Sequence, residues 1–386
     1  MKYRAVVAAA LFGMLPAEAP AEPSDQSSSL DAAVALRPYY ARLSQTLDLP
    51  RAPKGRELAP LTEIRRIALG SCDRQDKPQA FWDTIDATDP QLFLMICDNV
   101  YGDPRWTGDA ELSTLRAAYA QLAQAPQFQA FRERVPMLAV WDDHDFGFND
   151  GGAAFAFREW SETVFETFWN SSDAVRARPG VYEAHTFGKP GRRLQIIMLD
   201  TRFFRSPLQW PDSDASATMP GRYVPDPSSE ATMLGQAQWR WLEDQLRQPA
   251  DLRLVVSSVQ VLSEAHRWEG WGLFPRERER LLAALVRRSG GGLVLLSGDR
   301  HAAGLYHLDD VREPAGFHEL TSSSLNAPGS SDMAAREPDP RRNGPLFDQE
   351  NFATLDIDWP TRSVTLSIRD EEGEGLAEET VRWDAR

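Results

Sequence analysis

Val135-Pro136-Met137-Leu138-Ala139-Val140-Trp141-Asp142-Asp143-His144-Asp145 runs from a short apolar stretch straight into three carboxylates and an imidazole. An apolar run of this length, ended by charge, reads as a buried strand. A packed core has no use for the charges that follow. They belong at the carboxyl end of the strand, where an open α/β sheet turns toward a ligand crevice. Carboxylate oxygen and imidazole nitrogen in one cluster suit a divalent or trivalent cation, or proton exchange.

Further apolar runs lie on either side of this one: Ile64 to Leu69, Leu92 to Ile96, Leu194 to Leu199, Leu252 to Val261 and Leu293 to Leu296. Stretches with helical spacing separate them: Gln79 to Ile85, Glu111 to Ala123, Phe155 to Trp169, Gln236 to Leu246 and Glu277 to Arg287. This alternation predicts an α/β sheet rather than an all-β sandwich. At the end of the chain Phe352 to Asp358, Ser363 to Arg369 and Glu379 to Trp383 alternate apolar and polar residues, as antiparallel strands do. Leu30 to Leu47 has helical spacing that Pro38 should interrupt, and Pro50 to Arg56 reads as a connector. Pro207 to Pro227 is polar and long, so it is expected to be a surface loop near the site or an insertion.

The chain has 386 residues and a formal net charge of −15. That length allows an ample core. The acidic balance argues against nucleic acid as a standing partner, and local cations must offset it for any phosphate ligand. Lys2 and Arg4, the apolar Ala5 to Leu15 and the small residues Ala19-Pro20-Ala21 read as a secretory signal, residues 1–21, with no twin arginine. No later segment is long and apolar enough to span a membrane, so a monomeric periplasmic or extracellular protein is expected. Residues 22–60 form a polar, partly helical lead and residues 61–386 the main domain, C-terminal antiparallel strands included.

Four strand ends carry metal-ligand residue types: Gly70-Ser71-Cys72-Asp73, Asp98-Asn99-Val100-Tyr101, the Asp142 to Asp145 cluster with Asn149, and Gly298-Asp299-Arg300-His301. Neighbouring strand ends bring such loops together, which is how a two-cation site is assembled from distant sequence. A carboxylate such as Asp98 can bridge two cations. The phenol of Tyr101 ligates best once deprotonated, which a hard trivalent ion favours. Cys72 is either a buried small hydrophobe or a thiolate ligand, and in an oxidising compartment it could pair with Cys97. Gly298 permits a sharp turn that presents Asp299 and His301 to one centre. His185, His266, His307 and His318 read as surface or core residues. Ser263 to Trp271 either shapes a pocket or covers the sheet edge.

Together these segments, with Gly102-Asp103 and Leu199-Asp200-Thr201-Arg202, resemble the alkaline phosphatase D (PhoD-like) family of the calcineurin-like metallophosphatases. The resemblance implies a four-layer α/β/β/α sandwich, two central sheets flanked by helices. It implies Fe(III) and Ca(II), other divalent metals being possible, with Cys72, Asp98, Tyr101, Asp299 and His301 as ligands. The Asp-x-x-Tyr spacing also resembles purple acid phosphatases. Asp143 and Asn149 are expected as ligands or water positioners, and Asp142 and Asp145 as their supports. Two departures stand out: Cys97 replaces the Gly usual before Asp98, and the leader lacks the twin arginine common in the family.

The expected reaction is hydrolysis of a small-molecule or lipid phosphate monoester by metal-activated water. His144 would protonate the leaving alcohol and Arg202 or Arg300 would clamp the phosphate. The alternatives are a phosphodiesterase or phospholipase D-like hydrolase with the same site, or a metal-binding protein without catalysis.

Overall fold

The computed structural model describes residues 26–211, 220–310, 312–331 and 336–384. The predicted secretory signal and part of the Pro207 to Pro227 loop lie outside the described residues. Twelve strands are seen among those described: β1 (Arg66–Gly70), β2 (Leu92–Met95), β3 (Met137–Ala139), β4 (Glu183–Phe187), β5 (Leu194–Leu199), β6 (Leu252–Ser257), β7 (Gly292–Ser297), β8 (Gly304–Asp310), β9 (Glu313–Thr321), β10 (Asn351–Asp358), β11 (Ser363–Asp370) and β12 (Gly375–Arg382). The helices are α1 (Gln26–Thr46), α2 (Phe81–Asp86), α3 (Ser113–Gln124), α4 (Pro126–Arg134), α5 (Asp143–Phe146), α6 (Arg158–Trp169), α7 (Asp173–Arg176), α8 (Gly235–Arg247) and α9 (Pro275–Val286).

The strands form two six-stranded mixed sheets, ordered β12-β11-β10-β1-β2-β3 and β4-β5-β6-β7-β9-β8. In the first, β1, β2 and β3 are parallel while β10 to β12 are antiparallel. In the second, β5, β6, β7 and β9 are parallel, with β4 and β8 antiparallel at the edges. Side chains alternate across each strand, and the buried clusters follow that period. Ile196, Met198, Leu254, Val256, Val294 and Leu296 join the core that also holds Leu69, Met95 and Leu355 of the other sheet. Their neighbours Ile197, Leu199, Val255, Leu293 and Leu295 pack with Trp239 and Leu242 of α8 and Leu281 and Leu285 of α9. On the far side, Phe93 of β2 meets Trp82 of α2 at 5.2 Å and Phe131 of α4 at 5.5 Å. The result is the expected α/β/β/α sandwich. Each large apolar side chain buried between layers stabilises it by roughly 1.5–3 kcal/mol.

Three features differ from the sequence expectation. Helix α1 runs unbroken through Pro38, which removes the hydrogen bond to Val34; both residues are on the exposed face, where water can take the freed carbonyl. Strand β6 stops at Ser257, so the residues up to Val261 are loop. Strands β4 and β8 carry too many half-exposed polar residues to read as apolar runs, and β9 is interrupted by buried Glu313, Glu319 and Thr321. His307 and His318 stand opposite one another on β8 and β9, and His318 Nδ1 lies 2.8 Å from Glu379 of β12, joining the two sheets. The lead docks onto the domain: Arg37 pairs with Glu159 at 2.8 Å and Tyr40 stacks on Trp160 at 5.1 Å.

Candidate metal centre

The parallel strands of both sheets end on the same rim. Cys72 follows β1, Asp98 follows β2, Asp142 and Asp143 follow β3, Asp299 follows β7 and Ser323 follows β9. The two rims approach because Gly298 has no side chain: a Cβ there would sit 2.6 Å from Cys97 Cβ and 2.7 Å from Ser71 Oγ. The expected role of Gly298 as the turning residue is therefore corrected. The left-handed turns are made by Asp299 (φ 64°) and His301 (φ 53°) themselves. Cys72 (φ 58°) and Asp98 (φ 24°) adopt the same region. Such backbone costs about 1–3 kcal/mol per non-glycine residue, and clustering at one rim is the mark of a functional constraint.

Cys72 Sγ lies 3.5 Å from Asp98 Oδ2 and 3.0 Å from Ser323 Oγ. His301 Nδ1 faces the Ala327 carbonyl, and its Nε2 is 3.4 Å from the Tyr101 hydroxyl. An imidazole that donates from Nδ1 presents Nε2 as a lone pair. Potential ligand atoms of Cys72, Asp98 and His301 lie within 4.8 Å of one another, as do those of Asp98, Asp143 and His144, and of Asp142, Asp143 and Asp299. Asp98 belongs to the first two sets and Asp143 to the last two. Cys97 is free, its thiol 3.2 Å from Asp142 Oδ2, and Cys72 is free as well, so no disulfide removes either thiol.

Charge makes this rim unstable by itself. Burial pushes the Asp98 and Asp299 carboxyls well above the ordinary range, reinforced by Cys72 and Asp143 beside Asp98 and by Asp142 and Asp143 beside Asp299. Burial likewise raises the Tyr101 phenol, with Cys72 and Asp98 adding to it. Cys72 goes the other way: burial opposes its thiolate, but the Cys97 thiol, the nearby His301 ring and the Ser323 and Ser71 hydroxyls favour it. Asp143 Oδ1 is buried with no hydrogen-bond partner. An orphaned carboxylate oxygen, crowded anions, a thiolate and a phenol form a donor set that a cation would satisfy. The residues fit a hard or borderline metal ion.

Behind the rim stand the supports. Asp145 accepts from the amides of Asp142 (2.6 Å) and Asn99 (3.1 Å) and from the Tyr119 hydroxyl (3.2 Å). Asp142 accepts from Ser258 Oγ at 2.5 Å and pairs with Arg202. Arg202 is completely buried, and it also binds Glu269 at 2.6 Å. Its expected role as a phosphate clamp is therefore corrected: the guanidinium sits beneath the acidic floor and holds it in place. Arg202→Met should lower unfolding free energy by about 3–5 kcal/mol by stranding Asp142, Glu269 keeping its pair with Arg205 at 3.1 Å. Urea midpoints would show this, whereas a phosphate clamp would raise KM at unchanged stability.

A cavity of about 280 Å³ opens over the rim, lined by Asp143, His144, Asn149, Asp299, Arg300 and His301, with Asp150, Arg222, Trp268 and Glu269 among its other walls. His144 Nδ1 is 2.6 Å from Asp103 Oδ1, and the His144 ring lies 4.2 Å from that of Tyr101. Burial works against the imidazolium, but Asp143 and Asp103 prevail and raise its pKa to about 10. Asp103, Asp150, Arg222 and Glu269 had no individual role from sequence; Asp103 had a signal in the Asp98 to Asp103 segment, Glu269 in the Ser263 to Trp271 loop and Arg222 in the Pro207 to Pro227 loop, while Asp150 had none. His266 is buried against Gln260 at 2.9 Å, while Trp268 and Glu269 of the same loop reach the cavity, so that loop does shape a pocket.

The family model described as PhoD-like phosphatase matches residues 68–357. Alkaline phosphatase D of Bacillus subtilis (strain 168) is 24% identical over 230 residues; the match spans 52% of this chain and 38% of that protein. A solved structure of PhoD superposes with a TM-score of 0.60 at 17% identity, covering 86% of this chain and 70% of the other, and so shares the fold. Every strand end that builds the rim, from Cys72 to His301, falls inside the matched segment, and the chain belongs to the PhoD-like phosphatase family.

Proposed function

We propose that the protein is a metal-dependent phosphoric ester hydrolase acting on monoesters. The observation that carries this reading is that Asp98 groups within 4.8 Å both with Cys72 and His301 and with Asp143, beneath an open cavity that Asp143, Asp299 and His301 line. Cys72, Asp98, Tyr101 and His301 would hold one cation, Fe(III) on the family resemblance. Asp143, Asn149 and Asp299, together with Asp98, would hold Ca(II) or another divalent ion. Cations bound there lower the pKa of water and draw charge from phosphoryl oxygens.

The chain's own groups do the rest. Arg222, half-exposed on the cavity wall, offers a planar cation to the phosphate, while Arg300 is buried against Glu337 at 2.5 Å and reaches the cavity only as a paired cation. His144, held charged by Asp103, donates its proton to the departing alkoxide oxygen. Trp268 on the wall excludes water on that side. Residues 1–21 would export the chain to the periplasm or beyond. No helix of the described residues is long and apolar enough to cross a membrane.

Metal analysis with absorption spectroscopy tests the centre. The purified protein should contain iron and absorb in the visible, and Tyr101→Phe should lose that band while staying folded. Chelation should abolish ester hydrolysis, and re-addition of metal should restore it. Colourless, zinc-loaded protein with full activity would refute the ferric assignment. Faster turnover of a matched diester than of the monoester would refute the monoester preference.

A further inference from the structure

A second cavity, of about 560 Å³, adjoins the first and shares Asn149, Asp150 and Arg222 with it. Its walls are aromatic. Phe148 and Phe155 lie nearly parallel, 9° apart in plane with centroids at 5.4 Å. Trp106 meets Phe148, Phe155 and Phe157 edge-on at 6.0, 5.9 and 5.8 Å. Trp210 and Tyr223 form the other wall, 5.1 Å apart. Phe148 is 47% and Trp210 61% exposed: each packs one face on its neighbours and leaves the rest of a large apolar ring open to the cavity and solvent.

The placement is tied to the chemistry. Phe148 follows the helical turn that carries Asp143 and His144, and the Tyr223 hydroxyl donates to Asp150, whose amide donates to Asp143 Oδ2 at 2.8 Å. A phosphate over the rim, held by Arg222 at the junction, would direct its ester oxygen and organic group into the aromatic cavity. Resting on the phosphate-ester reading, we infer that this cavity is the subsite for the organic group, and that it selects a flat aromatic ring. Rings on both walls stack best on a flat partner. Asp150 and Arg205 beside them suit polar ring edges better than a hydrocarbon chain, which would strip water from charges without replacing it.

The test is the hydrolysis of ethyl, cyclohexylpropyl and phenylpropyl phosphates by the metal-replete protein; the last two have alcohols of matched acidity, because the ring is remote from oxygen. The phenylpropyl ester should exceed the ethyl ester in kcat/KM by about tenfold, the scale of one aromatic stack, and the cyclohexylpropyl ester should fall between them. Trp210→Ala and Phe148→Ala, on opposite walls, should each remove most of that advantage and leave ethyl phosphate turnover unchanged. Equal rates on all three esters, or an advantage that survives both substitutions, would overturn the subsite while the hydrolase reading stands. Equal preference for both ring esters over ethyl phosphate would make the cavity a general apolar one and overturn its aromatic selectivity. Hydrolysis of none of them would sink the hydrolase reading, and the subsite with it.

Discussion

Asp98→Asn is expected to abolish ester hydrolysis while making the metal-free protein more stable. The loss should reach about a thousandfold or more, ~4 kcal/mol of transition-state stabilisation, because Asp98 groups both with Cys72 and His301 and with Asp143, and a neutral amide would hold a cation there far less well than a carboxylate. The gain has a separate cause. Without cations Asp98 is buried among Cys72, Asp142, Asp143 and Asp145, and its pKa lies well above the ordinary value. A raised carboxyl pKa means that the folded state holds a proton the unfolded chain has released. Wild-type apoprotein therefore loses stability as pH rises from the unfolded value of about 4 toward the folded one. The Asn variant lacks this term, so its advantage should grow with pH across that window. Thermal melts of chelated protein at pH 4 and pH 8, beside metal content and kcat/KM, measure both effects. A variant that keeps its metals and most of its activity would remove Asp98 from the centre. One that is less stable than wild type without metal would show that the carboxylate has a structural role instead.

The same opposition of fold and function explains which parts of this protein were legible in its sequence. The six parallel-strand runs and the residues at their ends could be read directly, because a buried strand must be apolar and a charge at its end must be justified by something outside the core. Asp98, Asp143, Asp299 and His301, which the structure gathers at one rim, could therefore be singled out one strand at a time. Strands β8 and β9 could not be, since His307 and Asp309 meet water in β8, while Glu313, Glu319 and Thr321, buried with partners, break the apolar pattern of β9. Arg202 was misread for a related reason. Arginine beside a strand end ordinarily faces solvent, and only its contacts to Asp142, 60 residues away, and Glu269, 67 residues away, place it under the floor. Gly298 looked like a turn residue, but its use is the contact with Cys97 and Ser71, which depends on how the two sheets face one another. Local propensity carries the strands and their ends; the partners that hold those ends are set by packing between distant segments.

His144→Asn should lower kcat by about a hundredfold or more without emptying the centre. The expectation rests on position: the imidazole lines the cavity, with Nδ1 fixed by Asp103 and Nε2 left to address a leaving group. Its backbone amide, which donates to Asp98 Oδ1 at 3.3 Å, is untouched by the substitution. Esters of acidic phenols should suffer much less than esters of alkyl alcohols, because a good leaving group needs no proton. The pH profile supplies an independent check. The pKa of about 10 means that wild-type His144 is protonated through the mildly alkaline range, so an acid-catalysed step persists there and fails as pH rises through that value. Cations on Asp143 would cancel its share of the shift and leave Asp103 as the main anion, so the limb should fall somewhat below 10. Asp103→Asn should move it further toward the ordinary imidazole value near 6.5, costing activity at pH 9 far more than at pH 6. Loss of bound metal from the His144→Asn protein would instead make His144 a ligand with Asp98 and Asp143. An unchanged alkaline limb in Asp103→Asn would deny the pair any part in proton transfer.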